Sequence, residues 1–298
     1  EYYVRIKNFN ENQAYEFFEK FLGLKKGEGK EIYEKFRSLG LTDKELRKPL
    51  LALMLAKIYM TDKDVFSIDE NELNKIEDKE TRHRILRAYI YHEFAYSLLR
   101  GKHRRLVEQY PQYVEWSRFY KEEKELLRVL AALSNMYGGE LRDYSEKLQC
   151  FNIQGGSARA LEDLKTALNM VITSYFIGKE EAIRFIHRSF QEYFLAEYYY
   201  EMLSKGRVDM LNVGIPTAET MDFLHGIIDM IKYADILKNA IGGKKVDERK
   251  NEKNEDEIDL IKVILENDSK VVEKTVKEII KHAKEVLEDK YVIFHCNI

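Results

Sequence analysis

The sequence predicts a mainly α-helical protein: a helical bundle, then helices around a small β-hairpin, then a helical C-terminal extension. Three observations lead there. Only three prolines, Pro49, Pro111 and Pro216, interrupt 298 residues, and proline is the residue that breaks helices. Apolar residues recur at three- and four-residue spacing along most of the chain, which is the period of a helix with one buried face. One pair of short runs, Val171–Ile177 and Ala182–Ile186, breaks that period and is rich in β-branched and aromatic side chains.

Length and charge bound the rest. At roughly 150 residues per domain the chain has room for about two domains. Lys and Arg number 49 against 52 Asp and Glu, a net charge of −3. That balance gives no bulk attraction for nucleic acid, which is expected to be no partner. The longest apolar runs, such as Val129–Leu133, fall far short of the ~20 residues of a membrane span. Two cysteines, Cys150 and Cys296, make neither a disulfide framework nor a cysteine zinc site, so a cytoplasmic setting is expected. Residues 1–30 show no n-region, h-region or cleavage site, so an export signal is not expected.

Taken in order, Tyr3–Lys7 alternates apolar and polar residues and reads as a strand. A lone strand cannot pair with itself. Residues 1–9 are therefore expected to complete a sheet that lies before residue 1, a disordered tail being the alternative. Asn10 with Gln13 has capping-box spacing ahead of a helix carrying Phe17, Phe18, Phe21 and Leu22, which Gly23 stops. A short helix covers 30–38 and ends near Gly40. Thr42 with Glu45 is a second capping box. Its helix cannot pass Pro49, so another starts there, at the position proline favours, with Leu50, Leu51, Met54, Leu55 and Ile58.

Ser67 with Glu70 opens a polar connector. A long helix covers 80–100 and is expected to close at Gly101. The next covers Glu122–Tyr137 and closes at Gly138-Gly139. Ser157 is expected to cap a helix through Leu168. Two strands then flank a turn at Gly178–Glu181. Helices followed by one hairpin resemble a winged-helix module. Ser189 and Glu192 have capping-box spacing, and the helix they open is crowded with rings: Phe190, Tyr193, Phe194, Tyr198, Tyr199 and Tyr200. Residues 206–290 form the helical extension, with helices near 221–231 and 258–288. Between these two lies a mixed-charge tract, 242–257, expected to be a mobile loop.

Most candidate chemistry fails on spacing. Gly23 to Lys30 has five residues between the glycines flanking a phosphate loop rather than four, follows a helix, and continues into Glu31 instead of Ser or Thr. His92-Glu93 lacks the second histidine of a zinc-protease helix. The seven histidines show no ligand-like pairing, so no metal site is expected. Arg100–Arg105 is a basic cluster that suits either phosphates or a helix C-terminus. His187 stands just before a helix start, where free N–H groups and the helix dipole favour an anion; a packed histidine at the hairpin edge is the plainer alternative. Pro49 marks a break whose flat ring could lie against a base, or an ordinary kink.

Phe185-Ile-His187-Arg-Ser189-Phe190-Gln191-Glu192-Tyr193-Phe-Leu-Ala-Glu-Tyr198 resembles the F-x-H-x-S-F-Q-E-[YF]-x-A signature of NACHT-type STAND NTPases. Lys48-Pro49-Leu-Leu-Ala-Leu53 is similar to the proline motif in that family's helical domain. The resemblance covers about residues 1–205. It implies a signalling switch in which ADP is clamped between a nucleotide-binding domain, a small helical domain (10–60 here) and a winged-helix domain (61–205 here, with helical insertions). Exchange for ATP then opens the chain and drives homo-oligomerisation. It also implies that Pro49 faces the adenine, that His187 reaches the β-phosphate, and that a foreign or viral protein is the trigger in an antiviral setting.

Walker A, Walker B and sensor residues are absent from these 298 residues, so this segment alone is not expected to hydrolyse ATP. Magnesium would be held by a nucleotide-binding domain outside it. The alternatives are a winged-helix DNA-binding regulator using Arg100–Arg105 and a helical adaptor using the aromatic helix. Phe294–Ile298 resembles the opening of a pentapeptide repeat, at 291–298.

Overall fold

The computed structural model describes residues 7–61, 68–109, 116–142, 175–179 and 182–241. They are mainly helical, with one small antiparallel sheet. The helices are α1 (Glu11–Leu22), α2 (Glu28–Ser38), α3 (Asp43–Leu46), α4 (Pro49–Thr61), α5 (Glu70–Leu73), α6 (Lys79–Gln109), α7 (Trp116–Met136), α8 (Arg188–Ser204), α9 (Ala218–Lys232) and α10 (Ala234–Ile241). The strands are β1 (Leu141–Arg142), β2 (Phe176–Lys179) and β3 (Ala182–Phe185), in the order β1-β3-β2.

Contacts divide the chain into two compact units. Unit one is Glu1–Ser97 with Tyr233–Glu255, and unit two is Leu98–Lys232 with Asp256–Ile298. The segment expected as 61–205 thus gives α5 and the first part of α6 to unit one, and α10 joins them from the C-terminal side.

In unit one the local rules hold. Asn10 caps α1 and Gln13 returns the bond, each at 2.9 Å. Gly23 ends the helix in the left-handed region that a residue with a Cβ enters at a cost. Ala14 and Phe18 are buried, and Phe18 meets Phe36 of α2 at 5.8 Å between ring centroids. The two helices approach closely because residue 29 is glycine. A Cβ there would run into the Tyr15 carbonyl and stand 2.7 Å from Glu19 Cγ. Asp69 caps α5 through the Asn71 N–H at 2.8 Å, and its own N–H donates to the Ala240 carbonyl at 2.7 Å, so α10 is tied back to α5.

A buried carboxylate ties α3 to α6. Glu45 is 8% exposed. It accepts from Thr42 N–H at 3.0 Å, Thr42 Oγ1 at 2.7 Å and His83 Nε2 at 2.7 Å, with Arg87 Nε at 3.9 Å. Burial alone pushes this carboxyl up. The bonds from His83 and Thr42 outweigh it and hold Glu45 down at about 2.

In unit two, α8 is wrapped by α7, α9, β3 and a 3₁₀ turn at Val208–Leu211. In the sheet, Phe176 and Phe185 pair across β2 and β3 with centroids 4.1 Å apart. Ile183 and Leu141 pair on the same buried side, while Ile177 and Arg184 face out, as period-two alternation requires.

Several expectations are corrected. Gly101 does not close the long helix, because α6 continues to Gln109. An interior glycine costs only about 1 kcal/mol, which a long helix absorbs. Helix α7 begins at Trp116, before Glu122. Gly178 and Lys179 belong to β2 rather than to a turn. Strand β1 and helix α5 carry too few residues to show a period. Ser67, residues 1–6, the helix expected over 157–168, the strand portion 171–174 and everything from 242 onward lie outside the described residues.

Two predictions follow from unit one. Gly29→Ala lowers its stability by roughly 1–3 kcal/mol in chemical denaturation, the usual cost of forcing added bulk into a packed contact. Glu45 is held below its unfolded value of 4.5, so its contribution is full above that pH and fades as pH falls through about 2. Denaturation of the wild-type chain and Glu45→Gln is expected to differ by on the order of 3 kcal/mol near pH 7, with the gap closing toward pH 2.

Candidate functional site

The site is the junction of β3 and α8, and its chemistry begins with how α8 starts. Phe190, Tyr193, Phe194 and Tyr198 lie within 1% of fully buried. Tyr175 meets Phe190 and Phe194 edge-on at 5.7 and 5.3 Å, and Tyr193 meets Phe223 of α9 at 5.5 Å. These rings are core.

A shift of such a helix would unseat several buried rings at once, and its first turn leads directly into them. The structure corrects the expected cap. His187, not Ser189, is the N-cap, with extended backbone angles of −147° and 136°. Its Nδ1 accepts the Ser189 N–H at 3.2 Å and lies 2.7 Å from Ser189 Oγ. Its carbonyl accepts the Phe190 N–H at 3.1 Å. Ser189 is pulled inside the first turn and buried, while His187 is exposed. The imidazole does here what an Asn side chain does at other caps: it presents an acceptor two atoms beyond Cβ.

Glu192 does not return a bond to Ser189. It accepts from Arg188 Nε at 3.1 Å and from Thr217 Oγ1 at 3.0 Å. Thr217 in turn caps α9 through the Thr220 N–H at 3.1 Å. The motif glutamate therefore joins the starts of α8 and α9. Further along, Tyr198 and Tyr199 donate to the carbonyls of Met210 and Gly214 at 2.9 and 3.1 Å. Asn135 Nδ2 donates to Val213 at 2.9 Å. Burial raises the Tyr199 phenol, with a smaller push from Tyr198, so it stays a donor. These bonds account for an irregular stretch that has no ladder of its own. Gly214, at φ +92°, lets the chain pass Asn135, whose Nδ2 a Cβ would meet at 2.8 Å.

Pro49 is in unit one and His187 in unit two. Each is described within its own unit. Pro49 is the first residue of α4, half-buried, and the Lys48 carbonyl takes the Ala52 N–H at 3.0 Å. Partial burial lowers the Lys48 ammonium, and the Arg87 charge lowers it further. The side chains of Arg100–Arg105 lie outside the described residues. Among the described residues, no group of three or more His, Cys, Asp or Glu could hold a metal ion, and no helix is long and apolar enough to cross a membrane.

Sequence reasoning missed the His83–Glu45 pair. The two residues are 38 apart, and no local spacing signals such a contact. It also missed that Ser189 serves His187. In comparisons with known proteins, no family model, no curated protein and no solved structure matches the chain.

The cap can be separated from any other role of the ring. His187→Ala is expected to cost about 1 kcal/mol in denaturant unfolding of unit two. His187→Asn, which keeps a cap acceptor, should recover most of it.

Proposed function

We propose that this chain is the regulatory region of an ATP/ADP-dependent switch of the NACHT-type STAND class, whose signature segment it resembles. The observation that carries the reading is His187. It is exposed at the N-terminus of a helix that the core immobilises, where backbone N–H groups and the helix dipole favour an anion. Two helices, a three-stranded antiparallel sheet and then α8 support the finer reading of this region as a winged-helix domain.

On this reading the chain works with its own nucleotide-binding domain. His187 donates a hydrogen bond to the β-phosphate of ADP, and Pro49 lies against the adenine. Magnesium and the Walker residues belong to the nucleotide-binding domain. While ADP is held, the domains stay closed. Exchange for ATP removes that restraint and permits homo-oligomer assembly, with a foreign protein as the trigger in antiviral defence. The segment by itself performs no hydrolysis.

The test uses a protein that joins this chain to its nucleotide-binding domain. His187→Asn keeps the cap and removes the Nε2 donor. A hydrogen bond to a charged phosphate oxygen is worth about 1.5–3 kcal/mol, so ADP release should quicken by roughly ten- to a hundredfold and assembly should begin without trigger. Unchanged ADP retention and unchanged assembly would refute the role given to His187.

A further inference from the structure

Ser189 is the motif residue that the proposed function leaves without a task. Its backbone N–H donates to His187 Nδ1 at 3.2 Å, and its hydroxyl lies 2.7 Å from the same nitrogen. A backbone N–H can only donate. Nδ1 accepts that long bond with its lone pair, and the hydroxyl donates to the same lone pair as the shorter and stronger of the two. Ser189 is 7% exposed, so its side chain is held within the first turn of α8 rather than swinging in solvent.

We infer that Ser189 is the positioning residue of this site: it fixes His187 as the neutral Nε2–H tautomer and holds the ring in one orientation. A free neutral imidazole exchanges its proton between the two nitrogens. Here both donors converge on Nδ1, which assigns the proton to Nε2. The inference deepens the proposed function and rests on it for its consequence. Nε2 is the nitrogen that would meet a phosphate oxygen, and a phosphate oxygen needs a donor. A ring in the other tautomer would present a lone pair to that oxygen and repel it. Serine suits the place because its hydroxyl is one bond from Cβ and reaches Nδ1 two residues back. Alanine leaves only the longer backbone bond.

The experiment is a long-range proton–nitrogen correlation spectrum of the full chain with labelled histidine, comparing wild type, Ser189→Ala and Ser189→Thr. The wild-type His187 should give the pattern of a single Nε2–H tautomer. Ser189→Ala should show averaging between tautomers, and Ser189→Thr should restore the single pattern. An unfolded variant is recognised in the same spectra, and Ser189→Cys then replaces it, a weak donor in place of a strong one. A wild-type Nδ1–H tautomer, or a tautomer unchanged in Ser189→Ala, overturns the inference.

A second arm separates it from the reading it rests on. In the protein joined to its nucleotide-binding domain, Ser189→Ala should release ADP roughly threefold faster, and Ser189→Thr should not. A tautomer that responds to Ser189 while ADP release does not supports the positioning role and refutes the phosphate role of His187.

Discussion

The constraint on which unit two depends is that α8 has no free face. A helix normally buries a stripe and leaves the rest wet. Here Tyr193 to Tyr199 is buried without a break, with α7 on one side, α9 on another and the sheet beside them. Each fully buried large apolar side chain contributes roughly 1.5–3 kcal/mol, so rotation of α8 by even part of a turn would unseat several at once. Its first turn is held as a consequence. An exposed ring on a fixed turn is what a site that recognises a small anion needs, since a donor that wanders loses affinity to its own entropy.

Polar groups in the same unit reinforce that rigidity. Glu192 connects the starts of α8 and α9. Arg128 of α7 pairs with Glu201 of α8. Tyr193 donates to Glu197 inside the core at 2.6 Å, so a buried carboxylate gains a partner where an unpaired one would be costly. Unit one uses the same device differently. There the capping glutamate of a four-residue helix is buried and collects donors from α6, so a local helix-start signal doubles as a long-range tie.

What the sequence revealed divides along that line between local and distant causes. Both early capping boxes, the restart at Pro49 and the stops at Gly23 and Gly138 were legible because each is settled within four residues. The hairpin was legible in type but displaced, since Gly178 looks like a turn residue and is in fact paired with Ile183. Strand β1 was illegible: two residues long, it exists because β3, some forty residues on, accepts it. The return of α10 to α5, where the Asp69 N–H meets the Ala240 carbonyl, brings together residues far apart in the chain that no local pattern connects. At the site, His187 was found by its neighbours in the chain, yet its cap was assigned to Ser189, because serine is the commoner cap. Burial decided otherwise, drawing Ser189 inward and leaving the imidazole to accept its N–H.

The most direct measurement is a structure of the chain joined to the proposed nucleotide-binding domain, purified as the resting form. The account predicts ADP between them, with His187 Nε2 within hydrogen-bond distance of a β-phosphate oxygen and Nδ1 still accepting from Ser189. A resting form that carries no nucleotide, or one whose phosphates lie away from His187, would contradict it.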